Sequence, residues 1–154
     1  MDFVRSINND SVDKAMSTDF LCVEPCASVR DVFLLLQQRR LGSVLICRDG
    51  KLAGIFTERD ALRIMAGGGN LDQPIENVMV ANPVVLHQKD KLAAAIRKMA
   101  AGGYRRLPIV DASGRPVGMI RVAGLLHYLV EFFPNAVYNL PPDPQPTMQG
   151  REGA

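Results

Sequence analysis

The stretch GIFTERD, residues 54–60, is written again sixty-four residues later as GMIRVAG, residues 118–124. Both heptads open with Gly and two large apolar residues. They then diverge: the first has Thr57 and Asp60 where the second has Arg121 and Gly124. Working outward, Met16 matches Met79, Val29 matches Leu92 and Gly54 matches Gly118, with one residue inserted between the anchors. A fixed internal period is the strongest single signal of architecture. Each copy begins with a β-type run, FLCVE at 20–24 and PVVLH at 83–87. A helix follows in each. Ser28 is placed to cap the first, with Asp31 three residues on and Val29, Val32, Phe33 and Leu36 on one face. The second runs from Asp90, carries Leu92, Ala95, Ile96 and Met99, and stops at Gly102-Gly103. Two strands come next, SVLIC and LAGIFT around Arg48-Asp49-Gly50, and LPIVD and PVGMI across Ser113-Gly114. A last helix closes each unit, over 58–66 and 122–133. The pattern predicts an α+β fold of two β-α-β-β-α repeats. One such unit buries its sheet poorly alone, and two together bury it well.

Residues 1–70 are expected to form the first repeat with an N-terminal segment, and 71–138 the second. Gly67-Gly68-Gly69 reads as a flexible link between them. The stretch 139–154, rich in Pro and polar residues, reads as an extended or disordered tail. Apolar residues make up 47% of the 154, enough for a core. The formal net charge of +2, with acids and bases interspersed, argues against nucleic acid. No apolar run approaches the roughly 18 residues that span a bilayer, and the N-terminus lacks a signal-peptide pattern. A cytoplasmic protein without membrane insertion is the expectation. Cys22, Cys26 and Cys47 lack paired metal-ligand spacing and read as buried free thiols, so no metal site is expected. His87 and His127 occupy nonequivalent places, and neither a phosphate-binding Gly-rich loop nor a nucleophile elbow is present, so the chain does not read as an enzyme.

The paired repeats resemble the tandem CBS (cystathionine-β-synthase-type) domain pair, or Bateman module. The resemblance rests on the Gly-apolar-x-Thr/Ser-x-x-Asp signature met by GIFTERD and on the LPIV-D-x-x-G-x-x-V-G core of the second copy, and covers Met16–Met65 and Met79–Val130. It implies two pseudo-symmetric repeats packed through their sheets, with two clefts between them, in a module that usually forms a homodimer. It also implies a regulator that binds an adenosine-containing ligand such as AMP, ATP or S-adenosylmethionine. No obligatory cofactor is implied. The effector that reads the signal is expected to be another protein chain.

Thr57 and Asp60 first satisfy a local reading, a helix N-cap with an acid at the third helical position. The same helix start can hold a ligand's polar groups. An ionised Asp60 can accept from ribose hydroxyls, each charge-assisted bond contributing about 1.5–3 kcal/mol, and Thr57 adds a hydroxyl at the rim. Arg105 and Arg106 precede the second repeat's Leu107-Pro108, where the resemblance puts phosphate-binding cations. The matching places in the first repeat are taken as Leu41 and Gly42, both uncharged. Arginine's planar fork suits phosphate, and Arg59 is a further candidate. The resemblance places adenine near Phe20, Leu21 and Ser43. The second heptad offers no ribose acceptor, so one nucleotide per chain is expected. Two arginines favour AMP, ADP or ATP over S-adenosylmethionine. The competing reading is a ligand-free dimerisation scaffold in which Thr57 and Asp60 only cap a helix.

Overall fold

A computed structural model describes residues 3–134. Helix α1 (Phe3–Asn9) leads into strand β1 (Cys22–Val23), helix α2 (Val29–Arg39), strands β2 (Ser43–Arg48) and β3 (Lys51–Thr57), and helix α3 (Glu58–Gly67). The second unit contains β4 (Val80–Ala81), β5 (Leu86–His87), α4 (Leu92–Gly102), β6 (Arg106–Val110), β7 (Pro116–Arg121) and α5 (Val122–Phe132). Local chemistry accounts for most boundaries. Ser28 caps α2 by accepting the Asp31 N–H at 3.1 Å. Asp49 and Gly50, both at positive φ, form the two-residue turn between β2 and β3. Asp111 Oδ1 accepts from the Ser113 and Arg115 N–H groups and closes the longer turn between β6 and β7.

The sheets run β1-β2-β3-β4 and β5-β6-β7, with β1-β2 and β5-β6 parallel and the other pairs antiparallel. β4 comes from the start of the second unit yet pairs with β3 of the first, Val80 against Ile55. Reciprocally, Ser17 pairs with Met119 on β7, exchanging N–H···O bonds of 2.8 Å in both directions. Each repeat's lead-in segment therefore lies on the other repeat's sheet.

The cores follow this exchange and do not divide at residue 70. Val29, Val32, Val44, Ile46 and Phe56 form the first core together with Ile75. The Ile75 N–H donates to the Ala27 carbonyl at 2.7 Å, and the ion pair Arg48–Glu76 holds the same segment at 2.7 Å. Leu86, Leu92, Leu107, Ile109 and Ile120 form the second core with Val12, whose N–H donates to Asp90 O at 2.8 Å. Between the sheets lie Leu45, Ile55 and Met119, with Phe20 and Leu52 packed against them. The expected packing of repeats through their sheets is thus present.

Two local readings need correction. Gly67–Gly69 terminates α3: Gly68 takes the left-handed conformation, and the N–H groups of Gly68 and Gly69 both donate to Ile64 O. Cys22 and Cys26 are exposed, and only Cys47 is buried. The Pro-rich stretch 139–154 lies outside the described residues.

Candidate functional site

Strand β3 runs directly into α3, and Thr57 is the residue at which it turns. Its backbone is extended (φ −118°, ψ 169°), and a complete capping box closes the helix start. Asp60 Oδ2 accepts from the Thr57 N–H at 3.0 Å and the Thr57 hydroxyl at 3.1 Å, while Thr57 Oγ1 accepts the Asp60 N–H at 3.5 Å. The cap therefore occupies Oδ2. Oδ1 lies 3.8 Å from Arg63 Nη1, beyond hydrogen-bond reach. Asp60 is only 9% exposed, so its carboxylate is held in one orientation at the mouth of a cleft.

That cleft has a volume of about 1090 Å³, slightly above the usual range for small-molecule sites. Thr57, Arg59 and Asp60 line it from the first repeat, and Arg105 and Arg106 from the second. Phe20, Leu21 and Ser43 are not among its lining residues. Phe20 packs between the sheets, Leu21 against the first core, and Ser43 is buried on β2 opposite Thr57. In their stead Val80, Asn82, Pro83 and Val84 form one wall. The strand exchange is the reason: the lead-in to the second repeat crosses over β3 and reaches the Asp60 side. Applying the repeat offset to Phe20 gives Pro83, so the signal was present in the sequence on the other copy. Glu58, Arg63 and Tyr104 also line the cleft and carried no sequence signal of their own.

The arginine pair sits in an electropositive patch. Arg106 stands opposite Arg121 in the β6-β7 ladder, as Ser43 stands opposite Thr57 in β2-β3. This register matches Arg105 and Arg106 to Gly42 and Ser43, one residue along from the expected Leu41 and Gly42. The guanidinium of Arg106 lies against Gly42, where a Cβ would overlap it. Burial lowers the Arg106 pKa from its ordinary value, with Arg121 and Arg105 adding to the effect and Glu58 opposing it. A partly buried cation with like charges beside it is stabilised by a neighbouring anion.

The second heptad lines a smaller cleft of about 600 Å³, with Arg121, Gly124, Thr18 and His127 on its walls. Arg121 Nη2 donates to the Asp19 carbonyl at 2.9 Å. Helix α5 starts at Arg121 without a side-chain cap. A Cβ on Gly124 would stand 3.0 Å from the Ala15 carbonyl oxygen. The place that holds Asp60 in one repeat is thus tightly occupied by backbone in the other. Phe20, expected at the Asp60 site, follows the segment that lines this second cleft.

The model of the CBS domain matches residues 10–67 and 75–131. The chain belongs to the CBS domain family. Among curated relatives, the CBS domain-containing protein YhcV of Bacillus subtilis is 33% identical over 116 residues, covering 75% of this chain and 82% of that protein. The uncharacterized protein MK0525 of Methanopyrus kandleri is 29% identical over 126 residues, covering 78% of this chain and 64% of that protein. The fold is shared with an uncharacterized conserved protein from Pyrococcus horikoshii at a TM-score of 0.72 and 27% identity, over 82% of this chain and 93% of that one. CBSX2, solved in complex with AMP, aligns at a TM-score of 0.72 and 22% identity, over 79% of this chain and 97% of its own. The CBS domain pair of MJ0100, solved with 5'-methylthioadenosine and S-adenosyl-L-methionine, aligns at 0.69 and 22% identity, over 77% and 98%. The two CBS repeats here are therefore a tandem pair of the ordinary architecture, with one cleft that carries Asp60 and an arginine pair and one that has Gly124 in the place of that acid and a single arginine, Arg121.

Proposed function

We propose that this CBS pair is a regulatory sensor that binds one adenine nucleotide per chain in the Asp60 cleft. The observation that carries the reading is compositional: one cleft receives a ribose-type acceptor from the first repeat and two arginines from the second. Asp60 Oδ1 and the Thr57 rim accept from ribose, Arg105 and Arg106 take the phosphate, and the apolar wall of Val80, Pro83 and Val84 covers the base. Structurally similar CBS pairs solved with AMP or with S-adenosyl-L-methionine support an adenosine-containing ligand. The arginines favour a phosphate over a sulfonium, which gains nothing from them.

Signalling requires that the ligand bind two conformations unequally. Asp60 sits in the first turn of α3, whose Leu62 and Met65 are exposed further along, and α5 exposes Leu126 and Phe132. In the proposed scheme these helices form a homodimer face, and a nucleotide that bridges the repeats shifts α3 against that face for an effector protein to read. The second reading, a dimerisation scaffold, is favoured by the completed capping box, which accounts for Thr57 and Asp60 without any ligand.

Isothermal titration of AMP, ADP, ATP and S-adenosylmethionine into wild-type protein and Asp60→Ala separates the two. A sensor gives saturable binding near one ligand per chain that the substitution weakens strongly. A scaffold gives no heat with any of the four.

A further inference from the structure

The edge strand of the first sheet carries a feature that the cleft does not use. Cys22 on β1 and Cys47 on β2 face each other with their sulfurs 3.2 Å apart. Cys22 lies directly opposite Leu45 in the parallel ladder, and Leu45 belongs to the cluster between the two sheets. The thiol pair is therefore on the face through which the repeats pack, at its rim. Closing the gap to a disulfide needs an approach of about 1 Å, to the S–S bond length of ~2.05 Å. The ladder already holds the two backbones side by side. The second repeat has no counterpart: the register of β5 with β6 puts Val85 and Val110 at these positions.

The two thiols differ in a way that divides the chemistry. Cys22 is exposed and Cys47 is 7% exposed, so an oxidant in solution meets Cys22 first. Cys47 is positioned behind it as the sulfur that completes the bond. Burial pushes the Cys47 thiol up to about 12, with the Cys22 contact and Glu24 adding to the shift. The raised pKa slows attack by Cys47, because it keeps most of that side chain as the thiol at neutral pH.

We propose that Cys22 and Cys47 are an oxidisable dithiol that closes to a reversible intrachain disulfide on contact with a peroxide or a low-molecular-weight disulfide. With hydrogen peroxide, the Cys22 sulfur attacks one oxygen, the O–O bond breaks, and one water leaves as Cys22 becomes a sulfenic acid. Cys47 then attacks the Cys22 sulfur, the S–O bond breaks, and the hydroxyl leaves with the Cys47 proton as a second water. Two thiols are oxidised by two electrons in all, and one peroxide is reduced. With a disulfide of the glutathione type, two exchange steps release two small thiols in place of water. The product staples β1 to β2 at the rim of the inter-repeat interface and encloses the chain between them, which also carries α2.

The test is oxidation of the reduced, folded protein by hydrogen peroxide, and separately by oxidised glutathione, followed by intact mass and peptide mapping without reduction. The expected product has lost two hydrogen atoms per chain, joins the Cys22 peptide to the Cys47 peptide, and reverts with dithiothreitol. Cys26→Ser, at an exposed position, should form the same bond at the same rate. Cys22→Ser, also exposed, should leave Cys47 reduced and without added oxygen. Cys47→Ser should keep Cys22 reactive and carry it to the sulfinic acid, with circular dichroism confirming the fold. The proposal is overturned if wild-type Cys22 gains two oxygens while Cys47 stays reduced. It is equally overturned if the bond formed joins Cys22 to Cys26 or links two chains.

Discussion

Asp60 divides its two oxygens between two tasks. Oδ2 closes the cap on α3, and Oδ1 remains as the acceptor that the sensor reading assigns to ribose. Asp60→Ala removes both. We expect folding stability to fall by about 1 kcal/mol, the usual worth of a helix cap, in urea unfolding. In the same variant, nucleotide affinity should fall by roughly tenfold to a hundredfold or more. Asp60→Asn separates the tasks, because an amide oxygen can still accept from the Thr57 N–H but lacks the charge. Its stability should stay near wild type while binding drops. Tyr128 supplies a pH-dependent test of the second core. Its hydroxyl donates to Asp10 Oδ2 at 2.6 Å, and burial followed by that bond pushes its pKa up to about 12 from 10. A raised folded-state pKa means that folding favours the protonated phenol. That contribution is complete below pH 10 and is lost as pH climbs from 10 to 12. Across that window wild type should lose more thermal stability than Tyr128→Phe, and parallel pH profiles of the two would count against the bond.

The elements that decide the site are the short ones. Gly54 and Gly118 open the two heptads because the crossing segments rest on them: a Cβ at Gly54 would overlap the sulfur of Met79, and one at Gly118 the side chain of Met16. Gly54→Ala and Gly118→Ala should each cost about 1–3 kcal/mol through overpacking, measured by chemical denaturation. The sequence shows Met16 and Met79 as matched anchors, and shows both glycines, but not that each methionine serves the other repeat's glycine. Long periodic elements such as α2 and α4 were legible because helical spacing is local. So was the β2-β3 hairpin, because its turn residues specify it. The crossing strands were not. β4 is two residues long, and the Ser17–Met119 pair joins positions about a hundred residues apart, so no local pattern encodes either. Helix α1, seven residues long, is held by packing of Phe3 and Ile7 on the second core and is too short to form on local propensity alone. Thr57, Asp60 and the arginines, which line the cleft, belong to patterns a local reading detects, whereas Pro83 reaches the same cleft only through the crossing segment.

At the scale of the whole molecule, the cleft belongs to neither repeat alone. Asp60 and the Arg105–Arg106 pair arrive from different halves, so a nucleotide held as proposed would tie the halves together and act on their relative packing. The exposed apolar residues of α3 and α5 are where such a change would be felt by a second copy. On the proposed homodimer scheme, a charge placed there, Leu62→Glu or Leu126→Glu, should lower the sedimentation-measured mass from that of a dimer to that of a monomer while leaving the fold intact; a wild type that already sediments as a monomer would count against the scheme. In the proposed sensor, one composite cleft reads ribose with Asp60 and phosphate with Arg105 and Arg106. Comparing AMP with adenosine by titration tests it most directly, in wild type, Asp60→Ala and the double variant Arg105→Ala/Arg106→Ala. Wild type should bind AMP more tightly than adenosine near one per chain, the double variant should lose the preference, and Asp60→Ala should weaken both ligands. Undiminished AMP binding in Asp60→Ala, or an unchanged preference for AMP in the double variant, would contradict it.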